Sequence, residues 1–298
     1  MNEAALNHYL KVGTYTNPGC YTDFLQSLPN DISELGNLIC HQVIHRVTLK
    51  NGNTNANADK KYGDMDAFPW HRLRCDDGTL LTAPAMIAEL LRIDNRGLMP
   101  DRAVENKIVV TCRYVSVLIS AILKAKGIPA RSRSGFSPYC SPGVSGDHWI
   151  NQYWNENENR WVSFDADGFY NDLEFNQFDI PDENFNWAAE TWLGIRSGKI
   201  DGNKIVYASG VYGLKAAIRA VFYDFHSLMN NELSYNFQPQ YISNKFEQLT
   251  EADFTQIDEL AKLLIEPDNN FGKLLEVWHN EKKFRILNGT LLGDADHN

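Results

Sequence analysis

The chain has 298 residues, 43% hydrophobic and 22% charged, the proportions of an ordinary globular protein rather than a disordered or fibrous one. Its 28 Lys and Arg against 38 Asp and Glu leave a formal charge of -10. A surface of that sign repels phosphate backbones and anionic lipid headgroups, so neither a nucleic acid nor a membrane is expected as a partner.

Turn residues come first, at Asn17-Pro18-Gly19. Ile32, Leu35, Leu38, Ile39, Val43 and Val47 then keep the helical period, with Asn30 or Asp31 placed to cap a helix running to about residue 47. Residues 50–66 are rich in Asn, Gly, Asp and Lys and read as a surface loop. A second helix is predicted over 83–93, with Met86, Ile87, Leu90 and Leu91 on one face. The clearest helix covers 111–126. Thr111 stands at its N-cap, Val115, Leu118, Ile119, Ile122 and Leu123 form an apolar stripe, and Gly127 and Pro129 stop it. Three strands are predicted next, over 130–136, 148–154 and 161–165, the last two joined by a polar hairpin loop at 155–160. From about 186 to 287 the pattern turns mostly helical, best over 214–229 and 254–264. No linker separates this part, so a single domain over 1–298 is expected, with a core at about 70–180, a helical flank at 1–69 and a helical extension at 181–298.

Cys112 falls in the first turn of the clearest helix. Unpaired N–H groups and the positive end of the helix dipole there stabilise a thiolate and can hold the oxygen of a tetrahedral intermediate. His148 opens one predicted strand and Asp165 closes the next, positions that share one end of an antiparallel pair. In the order Cys, His, Asp, the imidazole can take the thiol proton while the carboxylate fixes its tautomer. Taken singly, a Cys at a helix start is more often a small buried hydrophobe and a lone His or Asp a structural residue. Their order on a helix followed by a hairpin gives the chemical reading its weight.

Thr111-Cys112-Arg113, Gly127-Ile128-Pro129-Ala130-Arg131, Asp147-His148-Trp149 and Arg160-Trp161-Val162-Ser163-Phe164-Asp165 together resemble the transglutaminase-like core. With Gly135-Phe136 and Tyr139 the chain is more closely similar to an uncharacterised bacterial branch, and Asn17-Pro18-Gly19 and the segment from Trp192 to Asp201 extend the likeness to the flanks. The resemblance implies an α+β, papain-like fold with the nucleophile helix packed on an antiparallel sheet. It also implies a Cys112–His148–Asp165 triad, thiol chemistry on the amides of a peptide or protein, and water or an amine as acceptor. Hydrolysis is favoured, since water needs no dedicated site. The residue two after the nucleophile is often acidic in that branch and is Tyr114 here, so a contact carried by the acid does not transfer. No calcium loop is recognisable, and neither metal nor cofactor is expected. Arg113, Tyr114 and Trp149 are candidates for contact with substrate or oxyanion, and Gln42 for completing an oxyanion hole.

Other readings compete. His41 and His45, four apart, would share one helix face and suit a metal, but Gln42 replaces the Glu that would activate water, and a structural role is favoured. Asp165-Ala166-Asp167-Gly168 and the 155–160 loop lack the ligand count of a calcium loop and read as turns. An arylamine N-acetyltransferase would carry Arg-Gly-Gly-x-Cys where Val109-Val110-Thr111 precede Cys112, and the zinc-binding cysteine pairs of peptide N-glycanase are missing. A catalytically inactive peptide-binding module is the main non-enzymatic alternative. Five scattered cysteines without a Cys-x-x-Cys, and residues 1–8 without the basic start and apolar stretch of a secretory leader, point to reduced thiols in the cytoplasm. Arg131 with Arg133 is the only short basic cluster near the proposed site.

Overall fold

In the computed structural model the residues described are 3–46, 68–72, 76–141, 143–167, 173–207, 210–243 and 246–288. The loop expected at 50–66 lies outside them. In chain order the elements are α1 (Glu3–Tyr9), α2 (Thr22–Gln26), α3 (Ile32–Cys40), β1 (Val43–His45), α4 (Ala83–Ile93), β2 (Ile108–Val110), α5 (Cys112–Ala125), β3 (Ala130–Ser141), β4 (Val144–Asn155) and β5 (Arg160–Phe164). They continue with β6 (Asn186–Trp187), α6 (Ala188–Arg196), β7 (Ile205–Tyr207), β8 (Val211–Tyr212), α7 (Leu214–Leu228), α8 (Gln240–Ser243), α9 (Glu251–Ile265) and α10 (Phe271–Asn280). The chain is α+β, and no described helix is long and apolar enough to cross a membrane.

Backbone contacts divide the chain into two units, each discontinuous in sequence. Unit I comprises Met1–Tyr9, Arg131–Trp149 and Pro181–Asn298, and unit II comprises Leu10–Ala130 and Ile150–Ile180. Strand β4 contributes its first half to unit I and its second half to unit II.

Unit II is organised by α5. The predicted apolar stripe implies one wet face, yet every residue from Cys112 to Lys124 is buried. The polar positions on that hidden face are satisfied locally. Ser116 Oγ donates to the Ile150 carbonyl at 3.2 Å, and Asn151 Nδ2 donates to Ser116 O and Ser120 Oγ, both at 2.9 Å. The helix therefore lies along β4, and β4 pairs antiparallel with β5 from Asn151↔Phe164 to Asn155↔Arg160. Gly127 ends the helix at φ 77°, a left-handed conformation that costs glycine little. In the 155–160 hairpin loop, Asn155 Oδ1 accepts from the N–H groups of Asn157 and Glu158, as turn chemistry requires.

The helix predicted to run to residue 47 stops at Cys40, and this is a correction. Asp31 caps it as expected, accepting from Ser33 and Glu34 N–H. Val43–His45 instead form β1, which pairs parallel with β2, and Ile44 packs with Phe68, Val104 and Val109. A partner more than sixty residues away decides this segment, and local periodicity carries no trace of it.

Unit I holds the strand order β6-β3-β4-β7-β8. The two residues between β3 and β4 can join only antiparallel neighbours, and β3 pairs antiparallel with β6 at Gly135↔Trp187. The sheet is not antiparallel throughout, as had been expected, because β4 pairs parallel with β7 at Ser145↔Ile205. The three short strands β6, β7 and β8 also interrupt a region read from sequence as mostly helical. Helix α7 is buried from Ala216 to Leu228 except at Arg219. Arg131 and Arg133 form no basic groove. Arg131 pairs with Asp268 at 2.7 Å and Arg133 with Asp224 at 2.8 Å, both guanidinium groups being buried.

His226 on α7 yields a pH prediction. Its Nε2 faces the Phe284 carbonyl at 2.8 Å and its Nδ1 faces the Asn231 amide at 3.0 Å, the pattern of a neutral ring donating from Nε2. Burial pushes its pKa down to about 4, further lowered by Arg285 and opposed by the Phe284 carbonyl. Between that value and about 6.5 the unfolded chain binds the proton the folded one refuses, so stability falls as pH falls through this window. The penalty reaches on the order of 2–3 kcal/mol at pH 4.5. Urea unfolding at pH 7 and 4.5 should show that difference shrinking in His226→Gln, whose amide can still donate but has no proton to gain.

Candidate active site

Strand β2 delivers the chain into α5 through Thr111, whose backbone is extended (φ -106°, ψ 174°). A turn at Asp76–Gly78 holds this junction. Val109 N–H donates to Asp76 Oδ2 at 3.1 Å, Thr111 N–H to Asp77 Oδ1 at 3.1 Å, and the Thr111 hydroxyl to Asp77 Oδ2 at 3.0 Å. The Tyr114 hydroxyl donates to the Asp77 carbonyl, and Arg46 Nη1 lies 3.7 Å from Asp77 Oδ2. Cys112, between these anchored residues, is 4% exposed. Sequence reading missed Asp76 and Asp77. An Asp-Asp-Gly turn looks like any other turn until its tertiary partner is known.

Three other candidates lie in unit II, and local bonds engage each. The Arg113 guanidinium donates to the Leu81 carbonyl at 2.9 Å and sits 4.6 Å over the rings of both Tyr15 and Tyr114. Gln42 is fully buried. Its amide nitrogen donates to Leu38 O at 2.6 Å and Met99 O at 2.9 Å, while its oxygen accepts from Arg102 Nε at 2.6 Å. Both amide protons are therefore spent on backbone carbonyls, and Gln42 braces the end of α3 instead of serving an oxyanion hole. His41 and His45 do not share a helix face. His41 is exposed, with Nδ1 against the Asn37 carbonyl at 2.7 Å, and His45 is on β1 with Nε2 3.5 Å from Asp167 Oδ2.

Asp165 directly follows β5 and is 2% exposed. Its N–H donates to Gln177 O at 2.8 Å, its own carbonyl accepts from Gln177 Nε2 at 3.2 Å, and its Oδ1 accepts from Asp167 N–H at 3.0 Å. The loop after β5 thus fixes both the backbone and one carboxylate oxygen. Gly168, the last residue of the Asp-Ala-Asp-Gly stretch, lies outside the described residues.

His148 belongs to unit I, is 2% exposed, and meets the Tyr139 ring edge-on at 6.1 Å between centroids. Trp149 is buried on the opposite side of the strand, 5.6 Å from Tyr223 and 6.5 Å from Tyr235, so it packs into an aromatic cluster of unit I. Two residues past His148, β4 is tied to α5 through Ile150, and three past it Asn151 pairs with Phe164, the neighbour of Asp165. Among the described residues, no disulfide joins Cys20, Cys40 or Cys112.

A family model described as the transglutaminase-like superfamily matches residues 91–166. The match spans about a quarter of the chain. This core segment runs from the end of α4 to just past β5 and contains Cys112, His148 and Asp165. A solved structure described as a "putative cysteine protease" from Cytophaga hutchinsonii is similar at 15% identity and a TM-score of 0.36, over 64% of this chain and 50% of that one. The chain therefore matches half the length of that protein. No curated protein matches the sequence.

Proposed function

We propose that this protein is a cysteine-dependent acyl-transfer enzyme acting on amide carbonyls of a peptide or protein. In this reading Cys112 is the nucleophile, His148 the general base and then acid, and Asp165 the residue that orients the imidazole. One observation carries it. Cys112 opens a 14-residue helix whose second turn is hydrogen-bonded to the strand just past His148, and that strand pairs with the strand ending beside Asp165. The core match over 91–166 adds independent support.

In the first step the thiol proton passes to His148 and the sulfur forms a bond to the carbonyl carbon, placing negative charge on oxygen at the N-terminus of α5. Collapse of that intermediate breaks the C–N bond, and His148 returns the proton to the leaving amine, leaving a thioester. Water, deprotonated by His148, then attacks the thioester and releases the acid. An amine in its place would give a new amide. Hydrolysis is the preferred outcome because water needs no binding site of its own.

With so little of the thiol exposed, a small electrophile is the right first probe. Iodoacetamide alkylation followed by mass spectrometry against pH should show Cys112 reacting on a plateau that extends below the ordinary thiol range of about 8.5. His148→Ala should shift that plateau upward, with exposed Cys20 as the internal reference. A Cys112 that is inert, or indifferent to His148, would leave a binding protein that keeps the fold without its chemistry.

A further inference from the structure

We propose that the cleft between α9 and α10 in unit I binds a small amphipathic amine, a protonated ammonium carrying one ring-sized apolar group. Gln256, Glu259, Leu260 and Leu263 follow the i, i+3, i+4, i+7 spacing and so share one face of α9. That face, with Val277 of α10 and Glu281 and Phe284 beyond it, lines a cleft of about 180 Å³. Leu260 and Phe284 are buried, and Leu263 and Val277 half-buried, whereas Gln256, Glu259 and Glu281 are exposed. The lining therefore has an apolar part and an acidic part. An apolar cavity of about 150 Å³ accepts benzene, so the space suits one phenyl or branched aliphatic group.

Charge selects the rest of the occupant. Glu281 directly follows the ten residues of α10 as its C-cap, which puts a carboxylate at the negative end of the helix, where a cation is the favourable neighbour. Among the described residues that carboxylate has no hydrogen bond or ion pair. The nearby cations are engaged otherwise. Lys262 pairs with Glu259 at 2.6 Å, Lys283 donates to Gln256 Oε1 and lies 3.6 Å from Asp253 Oδ1, and Arg285 Nη2 donates to the His279 carbonyl at 3.2 Å. Lys282 is exposed and outside the lining. A ligand ammonium at Glu281 would supply the missing counter-charge while its apolar group covers Leu260, Val277 and Phe284. The same carboxylates repel an anionic amphiphile such as a fatty acid. A small molecule suits these dimensions better than a protein, since a stable protein partner needs about 800 Å² from each side and the apolar lining is four side chains. No residue of the proposed triad enters the cleft, so this inference stands or falls apart from that reading.

Three probes of matched size separate charge from hydrophobicity: phenethylammonium, 2-phenylethanol and 3-phenylpropionate. Each is titrated into the full chain and followed by ligand saturation transfer and by amide shifts. Phenethylammonium is expected to bind saturably, to shift amides of α9 and α10, and to bind about fivefold more tightly than the alcohol, the scale of a partly exposed ion pair. The propionate should not bind. Glu281→Gln should bring the amine down to the affinity of the alcohol and leave the alcohol unchanged. Val277→Phe, which fills the cleft, should abolish binding of both.

An amine that does not saturate, or binds no better than the alcohol, overturns the proposal. So does amine binding that persists in folded Val277→Phe, because the site would then lie elsewhere. Should Val277→Phe fail to fold, Glu281→Gln decides alone, being a change at an exposed position. Undiminished amine affinity in that variant removes the inference.

Discussion

Cys112→Ala is expected to abolish the stoichiometric burst of nitrophenolate that, on the proposed chemistry, the wild-type protein should release from p-nitrophenyl acetate. Turnover of any amide substrate should fall by on the order of 10⁴-fold or more, as when other nucleophile–base pairs lose a member. The loss should not reflect unfolding. Cys112 fills little volume, and the first turn of α5 is held through Thr111 and Tyr114, which the substitution leaves in place. A far-UV spectrum and melting temperature close to wild type should therefore accompany the lost burst. If Cys112 and His148 act as one catalytic unit, as proposed, Cys112→Ala combined with His148→Ala should be hardly slower than either alone. A burst that survives in Cys112→Ala would transfer the chemistry to another group and end the proposal.

The largest stability effect is expected at Asp224. Its carboxylate accepts from Arg133 Nε at 2.8 Å, Arg133 Nη2 at 2.9 Å and Ser134 N–H at 3.1 Å, and its side chain is fully buried. The Arg133 guanidinium also lies 4.7 Å over the Trp187 ring. Asp224→Ala takes two charge-assisted hydrogen bonds from a buried cation and the carboxylate acceptor from a buried N–H, a change costing about 3–5 kcal/mol. For a chain of this size that corresponds to a melting temperature lower by roughly 10 °C. Replacing both partners, with Arg133→Met and Asp224→Leu, should cost less than Asp224→Ala alone, because no charge is then stranded. Thermal melts of the three variants check the ordering. A double variant worse than Asp224→Ala would show that the pair itself, and not the stranded charge, carries the stability.

What the sequence announced and what it hid divide along the range of the interactions involved. Helix α5 was legible because its signals are local: Thr111 before it, Gly127 and Pro129 after it, and an apolar stripe along it. The 155–160 hairpin loop was legible for the same reason, through Asn155 and its neighbours. The end of α3 was not. Val43 and Ile44 continue a helical period, and only their pairing with Ile108 and Val109 makes them a strand. The pairs formed by β6, β7 and β8 are likewise short and set by distant partners. Cys112, His148 and Asp165 stood out as residue types in a suggestive order, whereas Asp77 had no such mark. Its role depends on a bond to Thr111 across 34 residues. Gln42 shows the reverse error, a residue of suitable chemistry whose amide is already consumed by its neighbours.

The discontinuous make-up of the units has a consequence for a chain emerging from the ribosome. Every segment of unit II has been synthesised once residue 180 is out, so Cys112 and Asp165 can reach their folded surroundings early. The 131–149 segment must wait, because Arg133 has its carboxylate at Asp224 and Trp149 packs on Tyr223 and Tyr235. His148 sits in that delayed segment. On the proposed chemistry, the nascent chain would therefore carry its thiol before its base, and would remain without a working triad until α7 had been made.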